Sequence, residues 1–137
     1  MPLVLPIVSI LTTGILVIMQ MALMLNVVLA RLHTRQSLGD GGHQKLQQAI
    51  RRHGNFAENA ALFVIGIALL ELAGGSRSGI VMLCTLFVIG RVSHVIGLSM
   101  QRTSNAPRTV GIVLTAFVGV ALGIRLILFA VAHWPGA

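Results

Sequence analysis

Two short runs of polar and charged residues interrupt an otherwise apolar chain, and the spacing within each places them on one face of a helix. In the first, Arg51, Asn55, Glu58 and Asn59 recur at i, i+4, i+7 and i+8, neighbours on a helical surface. In the second, Arg91, His94 and Leu98 recur at i, i+3 and i+7. A charge facing lipid at mid-bilayer costs at least about 2.5–3.5 kcal/mol, so these groups are expected to face protein or water and to have partners. Glu58 and Arg91 are expected to meet. Glu58 lies within about one turn of a membrane face, and Arg91 about 13 Å below that face when counted from Met100. Glu71 and Arg125 are expected to form a structural pair nearer the opposite face. Two facing polar stripes would make a pocket for a small anion with several polar groups, and for an apolar co-ligand arriving from lipid. No nucleophile motif accompanies them. His53 and His94 read as hydrogen-bonded interior histidines before acid–base catalysts, and His33, His43 and His133 lack metal-ligand spacing. No metal site is expected.

The elements that carry these residues follow from composition. Of 137 residues, 55% are hydrophobic and 9% charged, with Lys+Arg 10 against Asp+Glu 3. That excludes an ordinary soluble domain and a disordered chain, and nucleic-acid binding is not expected because little of the chain is wettable. The single cysteine, Cys84, excludes an intrachain disulfide. The expected fold is an all-α integral membrane bundle, one domain of four helices at about 3–30, 43–72, 79–100 and 109–132. The first run lacks the basic start and short apolar core of a signal peptide and reads as a retained helix. Asp40 is expected to cap the second helix, Gly74-Gly75-Ser76 closes it, and the stretch around Pro107 separates the third and fourth. Arg31, Arg35, Lys45, Arg51 and Arg52 lie in or beside the first loop and Arg102 and Arg108 in the third, against Arg77 alone on the other side. The positive-inside rule then puts loops one and three in the cytoplasm and both termini outside. Gly90, Gly97 and the pair Gly119-x-x-x-Gly123 are expected at close helix approaches, and Trp134 at the outer interface.

The run Ile50-Arg51-Arg52-His53-Gly54-Asn55-Phe56-Ala57-Glu58-Asn59, followed in the next helix by Gly90-Arg91-Val92-Ser93-His94, resembles the MAPEG family, membrane-associated proteins in eicosanoid and glutathione metabolism. The resemblance covers nearly the whole chain and points to a bacterial-type member of the branch holding microsomal prostaglandin E synthase and microsomal glutathione transferase. It implies a homotrimer with glutathione bound between subunits near the cytoplasmic face, in the inner membrane if the source is bacterial. Carried over by position, Arg31, Arg51, His53, Asn55, Glu58, Arg91 and His94 match glutathione-binding positions. Arg108 matches the arginine credited with stabilising the glutathione thiolate. A fixed cation in a low-dielectric site favours that thiolate, because a thiol with a pKa of about 8.5 is only a few per cent ionised at neutral pH. One departure stands out: Leu98 occupies the position where family members commonly carry tyrosine, and the chain has no tyrosine.

The expected function is therefore a membrane glutathione-dependent transferase, with peroxidase activity open to the same thiolate, acting on lipophilic electrophiles. The alternative is a non-catalytic lipid-binding or scaffold member of the family; the missing tyrosine favours it and the Arg51–Asn55–Glu58–Arg91 set opposes it. A small proton-coupled drug transporter fits less well, because the first span carries no acid.

Overall fold

The computed structural model describes residues 5–100 and 105–134. Its described residues form four α-helices and no strand: α1 Ile7–Thr34, α2 Gln44–Leu72, α3 Arg77–Ser99 and α4 Ala106–Ala132. All four are long and apolar enough to cross a membrane. Leu3, expected to start the first span, and Arg102, counted in the third loop, lie outside the described residues. Successive helices run antiparallel, so α2 and α4 point the same way. α1 packs chiefly on α2, and α3 chiefly on α4.

Local chemistry sets the boundaries. α1 begins after Pro6 and runs on past its first charge to Thr34, where Arg35 adopts a left-handed conformation, φ 53°. The Arg31 guanidinium gathers the following loop by donating to the carbonyls of Gln36, Ser37 and Gly39 at 3.2, 3.1 and 3.1 Å. Asp40 does not cap α2, contrary to the expectation from sequence. Its carboxylate accepts from the Gly42 amide at 3.0 Å inside a glycine-rich turn, and the cap position falls to His43, which makes no side-chain cap bond. The end of α2 is a Schellman turn: Gly74, at φ 83°, sends its amide to the Glu71 carbonyl, and Gly75 sends its amide to that of Leu70. Ser76 then caps α3, accepting from the Gly79 amide at 3.3 Å. α4 starts earlier than the polar composition suggests, because Asn105 caps it by accepting from the Arg108 amide at 2.9 Å. Pro107 is tolerated in a first turn that has no amide partners to lose, so Pro107 and Arg108 are helical.

The core is apolar and lies around α2 and α3, with Phe56, Phe63, Ile67, Leu83 and Phe87 buried. The Phe63 and Phe87 rings stack with centroids 3.8 Å apart. Outward-facing side chains are equally apolar, among them Ile18, Leu62 and Ile127, as expected of a surface solvated by lipid.

Neither expected ion pair forms. Glu71 caps α1 instead, accepting from the Val8 and Ser9 amides at 3.1 and 2.7 Å and from the Ser9 hydroxyl. The first-turn amides of α1 lie beside the end of α2, and a carboxylate there satisfies orphan donors at the positive end of the helix dipole. Arg125 lies across the start of α3, where its guanidinium fills the space over Gly79.

Candidate functional site

A cavity of about 630 Å³ opens among α2, α3 and α4 at the end of the bundle that carries the first and third loops. That is within the usual range for small-molecule pockets. α2 contributes Arg51, Asn55 and Glu58, α3 contributes His94 and Leu98, and α4 contributes Arg108. These are residues of both polar stripes, now facing one space. Gln44, Gln47 and Gln48 also line it; they were read in the sequence only as good helix residues, although their positions one turn (Gln47, Gln48) and two turns (Gln44) before Arg51 on the same helix were the available signal.

Arg91 stands behind the cavity. It is 2% exposed, and one guanidinium nitrogen donates to the Asn55 carbonyl at 3.3 Å and to the Asn55 side-chain oxygen at 3.2 Å. Among the described residues its Nε has no hydrogen-bond partner, nor has Nδ1 of buried His94. The expected Glu58–Arg91 pair is thus replaced by Asn55–Arg91. Asn55 lies one turn nearer the loops and about 60° round the helix from Glu58, and its short amide occupies the donor. Glu58 is left exposed on the bundle flank, and neither Glu58 nor Arg51 has a hydrogen-bond or ion-pair partner among the described residues.

The crossing of α3 and α4 positions the remaining groups. A Cβ on Gly97 would collide with the Arg108 backbone, and a Cβ on Gly111 with the His94 backbone. The two glycines interlock, each letting the other helix bring a candidate site residue to the cavity. Gly97 was expected at a close approach; Gly111 was missed. Ser93 donates to the Pro107 carbonyl at 2.8 Å and fastens the same crossing. On the other side of α2, Arg52 donates to Ser99 at 2.7 Å and to Asn26 at 2.9 Å, tying three helices together. Both serines are therefore committed to packing.

Two expected site residues lie elsewhere in the protomer. Arg31 holds the first loop, and His53 is hydrogen-bonded to Gln20 at 2.7 Å between α1 and α2. Gly119 and Gly123, expected at a helix contact, meet nothing within 4 Å where a side chain would begin. Among the described residues no group of three His, Cys, Asp or Glu side chains could hold a metal.

The arrangement is a pocket with two cations at its edge, a buried cation behind one wall, one carboxylate without a partner among the described residues, and the apolar side chains of Ile50, Leu98, Met100 and Ile112. Its charges suit a small anion with several polar groups. Comparison with known proteins agrees with the membrane reading. The inner membrane protein YecN of Escherichia coli K12 is 34% identical over 73 residues, 53% of this chain and 55% of that protein. The protein of the same name from Escherichia coli O6:H1 strain CFT073 matches to the same extent. The matched segment thus spans about half the length of these relatives, and no solved structure matches. The MAPEG family profile matches residues 9–128, which takes in α2 and α3 whole, most of α1 and α4 and every residue lining the larger cavity, and the chain belongs to the MAPEG family.

Proposed function

We propose that the protein is a membrane glutathione-dependent transferase working as a homotrimer, with loops one and three in the cytoplasm and both termini outside. The observation that carries the proposal is the charge inventory of the larger cavity. Glutathione bears two carboxylates, one ammonium and a thiol. Arg51 offers a cation for a carboxylate, Glu58 offers an anion for the ammonium, and Asn55, held by Arg91, presents an amide to the peptide groups. Arg108 lies in the first turn of α4, where the helix dipole adds positive potential, and it holds the sulfur as thiolate. The thiolate sulfur then bonds to the electrophilic carbon of a lipophilic substrate, and the electron pair of the broken bond leaves with a departing group or takes a proton. A peroxide reaches the same thiolate, which breaks the O–O bond; a second glutathione then completes the disulfide. Arg31 and His53, remote from the cavity of their own protomer, belong in this proposal to the neighbouring subunit's site.

Leu98 in the cavity wall favours the second reading, a lipid-binding member without catalysis, because no phenol is present to hydrogen-bond the sulfur. Calorimetry on the purified protein in detergent separates the two. Glutathione at millimolar concentration should bind, with the affinity lowered about tenfold by Arg51→Ala or Glu58→Ala. Arg108→Ala should remove the near-ultraviolet thiolate absorbance while leaving binding within a few-fold. Absence of a binding heat in the wild-type protein defeats the transferase reading, and co-purified lipid without a glutathione-dependent thermal shift would establish the other.

A further inference from the structure

Arg52 takes no part in the proposed transferase site. It lines neither the larger cavity nor a smaller one of about 280 Å³ on the α2–α4 flank, because it stands about 100° round α2 from Arg51. Its guanidinium reaches Ser99 of α3 and Asn26 of α1 instead. Both partners are uncharged and both are exposed. Among the described residues no carboxylate meets this guanidinium. Its Nε is buried without a hydrogen-bond partner among the described residues, and each terminal nitrogen has one N–H left after its single bond. Asn26 adds a further donor: its oxygen is turned to the guanidinium, and no bond among the described residues occupies its amide nitrogen. The Ser99 hydroxyl is already engaged, donating to the Val95 carbonyl at 2.8 Å while it accepts from Arg52. The three residues thus hold a cation in place with N–H groups to offer and no anion to receive them.

Their depth follows from α3. Its 23 residues rise about 34 Å, slightly more than the hydrocarbon core of roughly 30 Å. Ser99 is the last of them, which sets the group at the level of lipid headgroups. The side chains beside it are apolar and exposed, Leu25 and Leu29 on α1 and Ile96 and Met100 on α3. We propose that Asn26, Arg52 and Ser99 form a binding site for the phosphodiester of an anionic membrane phospholipid, whose acyl chains lie along α1 and α3. This binding is independent of the glutathione reading. Phosphodiester oxygens only accept, and a guanidinium offers them paired N–H groups in one plane. Arginine and lysine outnumber Asp40 and Glu58 among the described residues at this end of the bundle, so a headgroup of net negative charge gains more than one carrying its own ammonium. A second copy of the chain is a poorer occupant. Of its three acids, Glu71 caps α1, Glu58 lines the larger cavity on the other side of α2, and Asp40 is held by the Gly42 amide of its own turn.

The test uses the full chain purified in detergent and stripped of lipid. On adding dioleoylphosphatidylglycerol, native mass spectrometry should show one lipid retained per chain, and the thermal midpoint should rise by several degrees. Dioleoylphosphatidylcholine should give less than half that rise, and inorganic phosphate none. Arg52→Gln should weaken retention about tenfold or more, and Arg52→Lys, which keeps the charge without the planar fork, should fall between. Asn26→Ala changes an exposed side chain and keeps the test open if the arginine variants fail to fold; it should weaken retention several-fold. Lys45→Gln, at an exposed cation on the same end, should bind as the wild type does. Equal retention of the two lipids, a midpoint raised by inorganic phosphate alone, or wild-type retention in Asn26→Ala and Arg52→Gln would overturn the proposal. So would a wild-type protein that retains no lipid and an oligomer broken by Arg52→Gln or Asp40→Asn, because a second copy's carboxylate then meets the guanidinium.

Discussion

In the proposed transferase, Leu98 decides how the thiolate is held. It lines the larger cavity beside His94 and one helix step from Gly97, and its side chain can neither donate nor accept a hydrogen bond. In the proposed reaction Arg108 then supplies the fixed charge without a hydroxyl to share the sulfur. A charge-assisted hydrogen bond contributes roughly 1.5–3 kcal/mol, so its absence leaves the thiolate less favoured by about tenfold or more. Leu98→Tyr is accordingly expected to raise the thiolate fraction at neutral pH and kcat about tenfold, with glutathione affinity changing less, read by near-ultraviolet difference spectra and steady-state rates. No change in the spectrum would mean that the sulfur lies away from α3. The types and spacing of Arg51, Asn55, Glu58 and His94 were enough to bring them to one cavity on paper, because helical periodicity alone fixes a face. Spacing does not fix which of two nearby acceptors a long guanidinium reaches. Asn55 took Arg91, and the first-turn amides of α1 took Glu71, because a partner already within reach wins over one that a side chain must cross a helix surface to meet.

The helices themselves were legible from apolar runs, whereas their starts depended on which of several capping-type residues the fold used. Asp40 looked like a cap and became a turn residue; Asn105 capped α4 and drew Pro107 and Arg108 into a helix. That shift matters to the site, since a helical Arg108 is fixed in direction by the α3–α4 crossing, while one in a loop would not be. The crossing is set by Gly97 and Gly111, each facing the backbone of the other helix. Backbone cannot move aside as a side chain can, so added volume must separate the helices, at a cost of about 1–3 kcal/mol or more. Gly111→Val is expected to lower the thermal midpoint in detergent by several degrees and to abolish glutathione turnover, because His94 and Arg108 part together. Gly119→Ala, with open space over it, serves as the control and should leave the midpoint within about a degree. A Gly111→Val protein with unchanged midpoint and rate would show that the crossing does not position the site.

In the proposed trimer the division of residues between subunits becomes the question. Arg31 and Arg108 are both expected at the glutathione site from the family resemblance, yet in one protomer Arg108 lines the cavity while Arg31 is bound to the carbonyls of its own first loop. Glu58 and Arg51 are exposed and have no partner among the described residues, and an exposed carboxylate within a membrane helix is costly unless something covers it. A trimer in which each site takes Arg108 from one subunit and Arg31 from the next accounts for both observations. It also makes a prediction that a protomer-contained site does not. Trimers built only from Arg31→Ala subunits, or only from Arg108→Ala subunits, should each lose most activity. Trimers assembled from a mixture of the two should regain a fraction, because some interfaces then pair an intact Arg31 with an intact Arg108. Co-expressing differently tagged subunits, purifying the mixed species and measuring turnover per trimer gives the answer. If the site is shared, two-to-one and one-to-two mixtures each have one interface in three that combines both arginines, so about a third of wild-type turnover returns. Activity that stays at the level of the single variants in every mixture would place both arginines' contributions within one subunit.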